Sequence, residues 1–414
     1  MNILITSLQV PGAASGVRVH YERLAVLLRS QGHEVTVVTL EDVGPWAGPI
    51  IGAIRHSLAL LPGRLGKRLG VELSEVAKIY FAIDHRQPYD VVNAQDVSSG
   101  WAARLALRDR VPVVVTGHYN DHPGEEVIKQ LRLKPRSWAA RFELGWYNFL
   151  LRRTRFFLSI SDYALRLTKP LLPAATCTTV VHNGVDMVAF AGPSSSGALS
   201  TTVPDLRALY PGRPIILNIG QLEARKNQQY LVAVATELRQ LHPGCITVLV
   251  GKGEDEPMLR ALIAQHHLKN DVVLLGYHTQ VAPLLHAADL YVHTATRENC
   301  PYVLIEAMAS GCPALALAAG GSPELLAGTP EASIPQATTP AALAAQLAGL
   351  LAKPDTRRHL QQRQYAYARA RFDMAAMVRG TLAFYQQAMG APAEAAESPR
   401  RTKTPTTAPT AQPA

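Results

Sequence analysis

Residues 2–39 run as a short apolar strand, a glycine-bearing loop, an amphipathic helix and a second strand, and this order restricts the chain more than any other feature. "NILITS" (2–7) is the strand, and "LQVPGAASG" (8–16) the loop. "VRVHYERLAVLLRSQ" (17–31) sets Val17, Tyr21, Leu24 and Leu28 on one helix face. Gly32 suits the residue just past the helix end, and "HEVTVVT" (33–39) is the next strand. Strands joined through a helix lie parallel, and short, wholly apolar strands suit a sheet covered on both faces. "YDVVNAQ" (89–95), a helix after Gly100, "VPVVVTGH" (111–118) and "FFLSIS" (156–161) continue the alternation. It breaks at "AGPSSSGALSTTVP" (191–204), which is small, polar and proline-bearing. It then restarts with "PIILNIG" (214–220), a helix over 228–241, "ITVLVG" (246–251) and a helix over 255–267. "VVLLG" (272–276), "DLYVHTA" (289–295) and "PALALA" (313–318) complete the second series. The expected fold is therefore α/β, with two successive doubly wound halves and a cleft between them, beyond the carboxyl ends of the strands.

Length agrees with this, because 414 residues exceed one ordinary core. Apolar residues make up 48% and charged residues 18%, a composition that excludes a disordered chain. Cys177, Cys245, Cys300 and Cys312 are scattered, with no C-x-x-C and no histidine at zinc spacing. That pattern argues for a reducing compartment and against a structural metal. The opening "MNILITSLQV" lacks a basic n-region and a cleavage site, and no apolar run reaches the roughly 18 residues of a spanning helix. A cytoplasmic location is expected. Net charge is +9, and residues 1–190 hold 22 Lys+Arg against 16 Asp+Glu. Within 128–155, eight basic residues accompany one glutamate, with Trp138, Trp146, Tyr147 and Phe149 interleaved. This stretch suits an anionic surface, either lipid headgroups or nucleic acid, and equally a solvated helix face, and "RHSLALLPGRLGKRLG" (55–70) adds to the membrane reading.

Chemistry concentrates in "RENCPYVLIEAMASGCPALAL" (297–317). Pro301 fits a first helical turn and Gly311 the position past the end, which predicts a helix over Pro301–Ser310. Glu298 then precedes the helix, and Glu306 lies about a turn and a half inside it. The amides of residues 300–302 and the positive helix end suit anions and hydroxyl oxygens. Paired carboxylates beside them can accept hydrogen bonds from vicinal diols. An acid salt-bridged in the core satisfies the same spacing. "NIGQLEARKN" (218–227) ends a strand and brings Arg225 and Lys226 to the start of a helix, where cations can hold a diphosphate or simply be solvated. No D-x-D occurs, so no divalent ion bridging a diphosphate is expected.

In this order the motifs resemble those of the retaining glycosyltransferases of family 4, also called group 1. "SGVRVHYERLAVLLRSQGHEVTVVT" is similar to the family's first loop, helix and strand, "VVVTGHYND" to the strand ending in its active-site histidine, and "VVHNGVD" to the approach to its hinge. "GQLEARKN" resembles the phosphate turn, "GKGEDEPML" the following G-x-G segment, and "ENCPYVLIE" the E-x7-E motif. "FDMAAMVRGTLAFYQQAM" (372–389) resembles the terminal helix. The resemblance implies the GT-B fold: an acceptor domain over 1–190, a linker over 191–206, and a nucleotide-sugar donor domain over 207–371. A helix over 372–390 crosses back to the first domain, and a disordered tail follows over 391–414.

It also implies roles. Glu298 contacts hydroxyls of the donor sugar and Glu306 the nucleotide ribose. Asn299, Cys300, Pro301 and Tyr302 lie against sugar and phosphates, Lys226 neutralises the departing diphosphate, and Gly16 lets the first loop approach it. His118 lines the sugar pocket, and Gly251 and Gly276 lie near the base. Two departures stand out. Gln221 occupies a position where the family often has arginine, a charge that Arg225 can supply from another direction, and Ser15-Gly16 replaces a glycine pair.

The implied reaction moves a hexose-type sugar from a nucleotide diphosphate to an acceptor hydroxyl with retention. It uses no metal, no cofactor beyond the nucleotide-sugar co-substrate, and no obligatory protein nucleophile. Glycan or lipid-linked acceptors of polysaccharide, lipopolysaccharide or glycolipid synthesis fit, with an anionic membrane surface as a further partner and no nucleic acid. A sugar-nucleotide 2-epimerase of the same architecture and a non-catalytic carbohydrate- or membrane-binding module are the rivals. A nicotinamide dehydrogenase is disfavoured, since no G-x-G-x-x-G follows the first strand.

Overall fold

The computed structural model describes residues 1–9, 15–60, 64–191 and 203–390. Two parallel six-stranded sheets follow one another along the chain. The first contains β1 (Asn2–Thr6), β2 (Glu34–Val38), β3 (Val91–Ala94), β4 (Val113–Gly117), β5 (Phe156–Ser159) and β6 (Cys177–Val180), in the order β2-β1-β3-β4-β5-β6. The second contains β7 (Ile215–Ile219), β8 (Ile246–Val250), β9 (Val272–Gly276), β10 (Leu290–His293), β11 (Ala314–Leu317) and β12 (Ser333–Ile334), in the order β12-β11-β10-β7-β8-β9. In each sheet the chain starts near the middle and reverses its direction of travel, at β1/β3 and at β7/β10, which opens a crevice beyond the strand ends. Strands such as β3, β4, β8, β10 and β11 are buried along their whole length, as suits their largely apolar sequences in a sheet covered on both faces.

The chain returns to the first half at its end. Val185 pairs with Asp373 just before the helix Met374–Gly390, which packs on β3, β4 and β5. Phe384 meets Phe156 edge to face at 6.3 Å, and buried Tyr385 reaches Asn93 at 2.5 Å. Gly184 permits this crossing, since a Cβ there would lie 2.8 Å from Met374 Cα. Most of the stretch read as a linker, and the whole of the tail read over 391–414, lie outside the described residues. All four cysteines are free. Among the described residues no helix is long and apolar enough to cross a membrane.

Candidate active site

A cleft of about 1680 Å³ lies between the two sheets, lined from both halves. On the second-half wall, β7 runs out at Gly220 and a single 3-10 turn, Ala224–Lys226, leads to the helix Gln228–Leu241. Asn227 makes the join with φ of 55°, a left-handed conformation that asparagine tolerates. The turn is braced from the end of β10: the Thr294 hydroxyl donates to Lys226 O at 2.8 Å and Thr296 N to Arg225 O at 2.9 Å. Both cations of the turn meet Glu298, Lys226 through its ammonium and Arg225 through Nη1 at 3.1 Å. His293 Nε2 stands 3.6 Å from the same carboxylate. Burial pushes the Glu298 carboxyl up, but Lys226, His293 and Arg225 more than reverse this and hold it well below the usual carboxylate range.

The helix after Glu298 covers Tyr302–Ala309, one residue shorter at each end than the sequence suggests. Pro301 caps it and carries no N–H, so amides flanking the proline, not those of all three residues 300–302, are available to an anion. Glu306 lines the cleft and is only 7% exposed, the same as Glu298. Its sole ion-pair partner among the described residues is Arg23 of the first half, with Nη2 at 3.0 Å from Oε1. Burial dominates here and raises the Glu306 carboxyl despite the guanidinium. The acid is thus ion-paired, as one reading of the spacing expects, and it also lines the cleft.

Two glycines that sequence reasoning passed over shape this turn. A Cβ on Gly320 would lie 1.8 Å from Glu298 O, and one on Gly321 would lie 1.9 Å from Asn299 O. Gly251 and Gly253 brace the segment that leads to the Ala224–Lys226 turn in the same way, with added Cβ atoms 1.9 Å from Gly220 O and 2.1 Å from Leu222 O. Gly251 and Gly276 bond to each other, N to O at 2.8 Å, and neither lines the cleft. Gln221 is exposed and also absent from the lining, whereas Arg225 is part of it.

The first-half wall carries Ser15, Gly16, Arg23, His118 and Asn183. Ser15 caps the helix Gly16–Ser30, and a Cβ on Gly16 would meet nothing within 4 Å, so this residue borders open space. His118 Nε2 bonds Gln95 Oε1 at 2.8 Å, Gln95 continues to Asn93, and Asn93 to Tyr385 of the terminal helix. The His118 ring sits edge to face with His20 at 4.8 Å. Burial pushes His118 far down, and it lowers His20 to about 4, so both rings are neutral at neutral pH.

Polar bonds close the halves around this cleft. Asn183 Nδ2 donates to Cys300 O at 2.7 Å, Asn299 bonds the Ser161 hydroxyl and donates to Tyr119 O, and Arg297 pairs with Asp121 at 2.7 Å. Glu324 accepts from the amides of Asp162 and Tyr163 and stands 3.4 Å from His182. Asp162, His182 and Glu324 bring ligand atoms within 4.8 Å of one another, but the Glu324 oxygens are engaged by those amides, so the trio acts as a latch between halves.

Fold and cleft define an α/β protein of two parallel sheets whose strand ends face each other across a cleft lined by Glu298, Glu306, Arg225, Lys226 and Arg23. Comparison with known proteins narrows this. The family described as Glycosyltransferase Family 4 matches residues 14–188, and that described as Glycosyl transferases group 1 matches residues 205–368. The chain belongs to the group 1 glycosyltransferases. D-inositol 3-phosphate glycosyltransferase of Segniliparus rotundus is 27% identical over 396 residues, covering 91% of this chain and 86% of that protein. An Escherichia coli UDP-Gal:alpha-D-GlcNAc-diphosphoundecaprenol alpha-1,3-galactosyltransferase is 27% identical, covering 56% of this chain and 58% of that protein. Among solved structures, Anabaena HepE in complex with UDP superposes with a TM-score of 0.67 at 20% identity, covering 94% of this chain and all (100%) of that one. Sucrose-phosphate synthase of Thermosynechococcus elongatus gives 0.68 at 19% identity, covering 94% and 99%. The GT-B fold follows, terminal crossing helix included.

Proposed function

We propose that this chain transfers a hexose-type sugar from a nucleotide-diphosphate sugar to an acceptor hydroxyl with retention of anomeric configuration and without a metal. One observation carries the reading: Arg225 and Lys226 converge on Glu298 at the mouth of a helix whose Glu306 lines the same cleft, opposite Gly16 and His118. In this reading residues 207–371 bind the donor and residues 1–190 the acceptor, with 191–206 as linker and 372–390 as the returning helix. Lys226 takes the diphosphate charge as it develops, and Arg225 supplies the cation that Gln221 does not. Glu298, released from Lys226, accepts from sugar hydroxyls alongside Asn299, Cys300, Pro301 and Tyr302. Glu306 accepts from the ribose, neutral His118 lines the sugar pocket, and Gly251 and Gly276 support the base side only through the phosphate turn. Rate enhancement comes from positioning two substrates and stabilising the leaving group, with the closed halves excluding water.

The test is incubation of the purified chain with nucleotide sugars and glycan or lipid-linked acceptors. Release of nucleoside diphosphate with formation of a glycoside of unchanged anomeric configuration, insensitive to a chelator, is expected. An epimerised free sugar, or donor binding without acceptor consumption, sinks it.

We further propose a cell-surface polysaccharide or glycolipid pathway on the inner face of the plasma membrane, with the first half resting on anionic lipid. Leu131, just past the helix Pro123–Gln130, and Trp138 and Phe149 of the helix Trp138–Leu151 are exposed, while the one acid of 128–155, Glu143, is fully buried on Arg68. Of the other stretch, 55–70, Leu60 is exposed and residues 61–63 lie outside the described residues. Reversing Arg152, Arg153 and Arg155 to glutamate should abolish flotation with anionic vesicles at low salt; unchanged flotation removes the membrane contact.

A further inference from the structure

Arg23 is the one lysine or arginine that the first half contributes to the described cleft lining. It sits two turns into the helix Gly16–Ser30, with its guanidinium 4.8 Å above the Tyr302 ring. Nη2 bonds Glu306 Oε1 and takes only that oxygen, while Nη1 is buried with no partner among the described residues. A carboxylate this deeply buried needs a cation to remain an acceptor. The other titratable groups around it supply none. Tyr302 on its own helix and Tyr291 on β10 are pushed up by burial, and His20, 3.4 Å from the Tyr302 hydroxyl, is neutral.

We propose that Arg23 is a positioning residue of the nucleotide site: from the first half it fixes the Glu306 carboxylate and leaves Oε2 for the ribose, so that nucleotide is gripped only when the two halves are together. The proposal rests on the reading of Glu306 as the ribose ligand. It adds that half of this subsite belongs to the opposite domain, and that a donor-domain acid loses its function when the cleft opens. Nucleotide binding and closure are then coupled, because Arg23 reaches across the cleft to aim the carboxylate only while the halves are together.

Calorimetric titration with UDP, on full-length wild type, Arg23→Gln, Arg23→Lys and Glu306→Gln, tests this across about pH 5.5 to about pH 8.5. Ratios of variant to wild-type affinity cancel the ionisation of the UDP phosphate. Arg23→Gln should bind about tenfold more weakly than wild type or worse at the acid end, with the deficit shrinking as pH rises. Arg23→Lys should recover most of the affinity, and it serves alone should a melt show the glutamine variant unfolded. Glu306→Gln should be weak throughout. An Arg23→Gln protein that matches wild type at every pH, beside a weak Glu306→Gln, overturns the role of Arg23 and leaves the ribose reading intact. Tighter UDP binding by Arg23→Gln overturns it as well, since Arg23 would then be blocking the acid. Normal UDP binding by Glu306→Gln removes the ribose reading, and the proposal with it.

Discussion

The turn around Glu298 and the helix around Glu306 carry acids of equal exposure, at 7%, yet their surroundings are opposite. Glu298 is held within its own half by Lys226, Arg225 and His293, and its carboxyl is lowered. Among the described residues Glu306 has a single ion-pair partner, Arg23, from across the cleft, and its carboxyl is raised. Burial costs each acid the same kind of desolvation; the number and origin of the cations decide the sign. One acid is therefore part of its own half's electrostatics, and the other depends on a neighbour from the opposite half.

The largest expected effect is on stability at the first of these sites. Glu298→Gln removes the anion around which Lys226 and Arg225 are folded, leaving two cations facing each other, and should destabilise by about 3–5 kcal/mol. Glu306→Gln should melt close to wild type, because Arg23 is 31% exposed and can turn to water. The pH dependence should differ in sign. A lowered carboxyl contributes stability that is present above its unfolded value and lost as pH falls through the folded one. A raised carboxyl does the reverse, and its penalty grows as pH rises through the folded value. Melts of wild type against each variant over acid to neutral pH check both; equal losses, or the same slope for both, break the comparison.

Next in size is Lys226→Ala, expected to lower turnover by at least about 100-fold, as for other groups that stabilise a developing anion. The fold should survive, since Arg225 and His293 still face Glu298. Single-turnover assays with donor and acceptor decide it: near-normal turnover by a folded variant displaces the diphosphate from this turn. Smaller again, Glu306→Gln should weaken bare nucleotide and nucleotide sugar alike by about 1–3 kcal/mol. Calorimetry with both ligands checks that the two losses are equal. A loss confined to the nucleotide sugar would assign Glu306 to the sugar and erase its difference from Glu298.

Local signals account for much of this site and fail at a definable point. Pro301 and Gly311 mark the Glu306 helix to within a residue at each end, because proline at a first turn and glycine past the last are backbone constraints that a sequence displays. The strand ending at Gly220 and the helix over 228–241 already place Arg225 and Lys226 between them, where the structure has a 3-10 turn. Arg23–Glu306 and Asn183–Cys300 join residues 283 and 117 positions apart, and no periodicity encodes such pairs. Gly320-Gly321 was readable in principle: adjacent glycines just after a buried strand mark close backbone approach. Helix Arg64–Ala82 was missed because its charge suggested a surface, although Glu72, Val76 and Ile79 recur at helical spacing and are buried.

The smallest effect concerns the one departure that the structure leaves outside the cleft. Gln221 is exposed, and its carbonyl, not its side chain, is used by the fold, accepting from Gln228 Nε2 at 3.0 Å. Arg225 meanwhile reaches Glu298 from the cleft lining. On the proposed placement of the diphosphate, an arginine at 221 would therefore add a solvated cation to the two that Arg225 and Lys226 already supply. Gln221→Arg should tighten UDP by less than about 1 kcal/mol, or roughly fivefold, and the gain should vanish as salt screens an exposed charge. Uridine, which lacks the phosphates but keeps the ribose, should bind as before, because Glu306 and Arg23 are untouched. Titrations of UDP and uridine at low and high salt measure both halves of this expectation. A gain of tenfold or more that persists in salt (about 1.4 kcal/mol) would mean that Arg225 serves Glu298 alone. The two acids would then differ still more sharply, with Glu298 keeping its cation through the whole reaction.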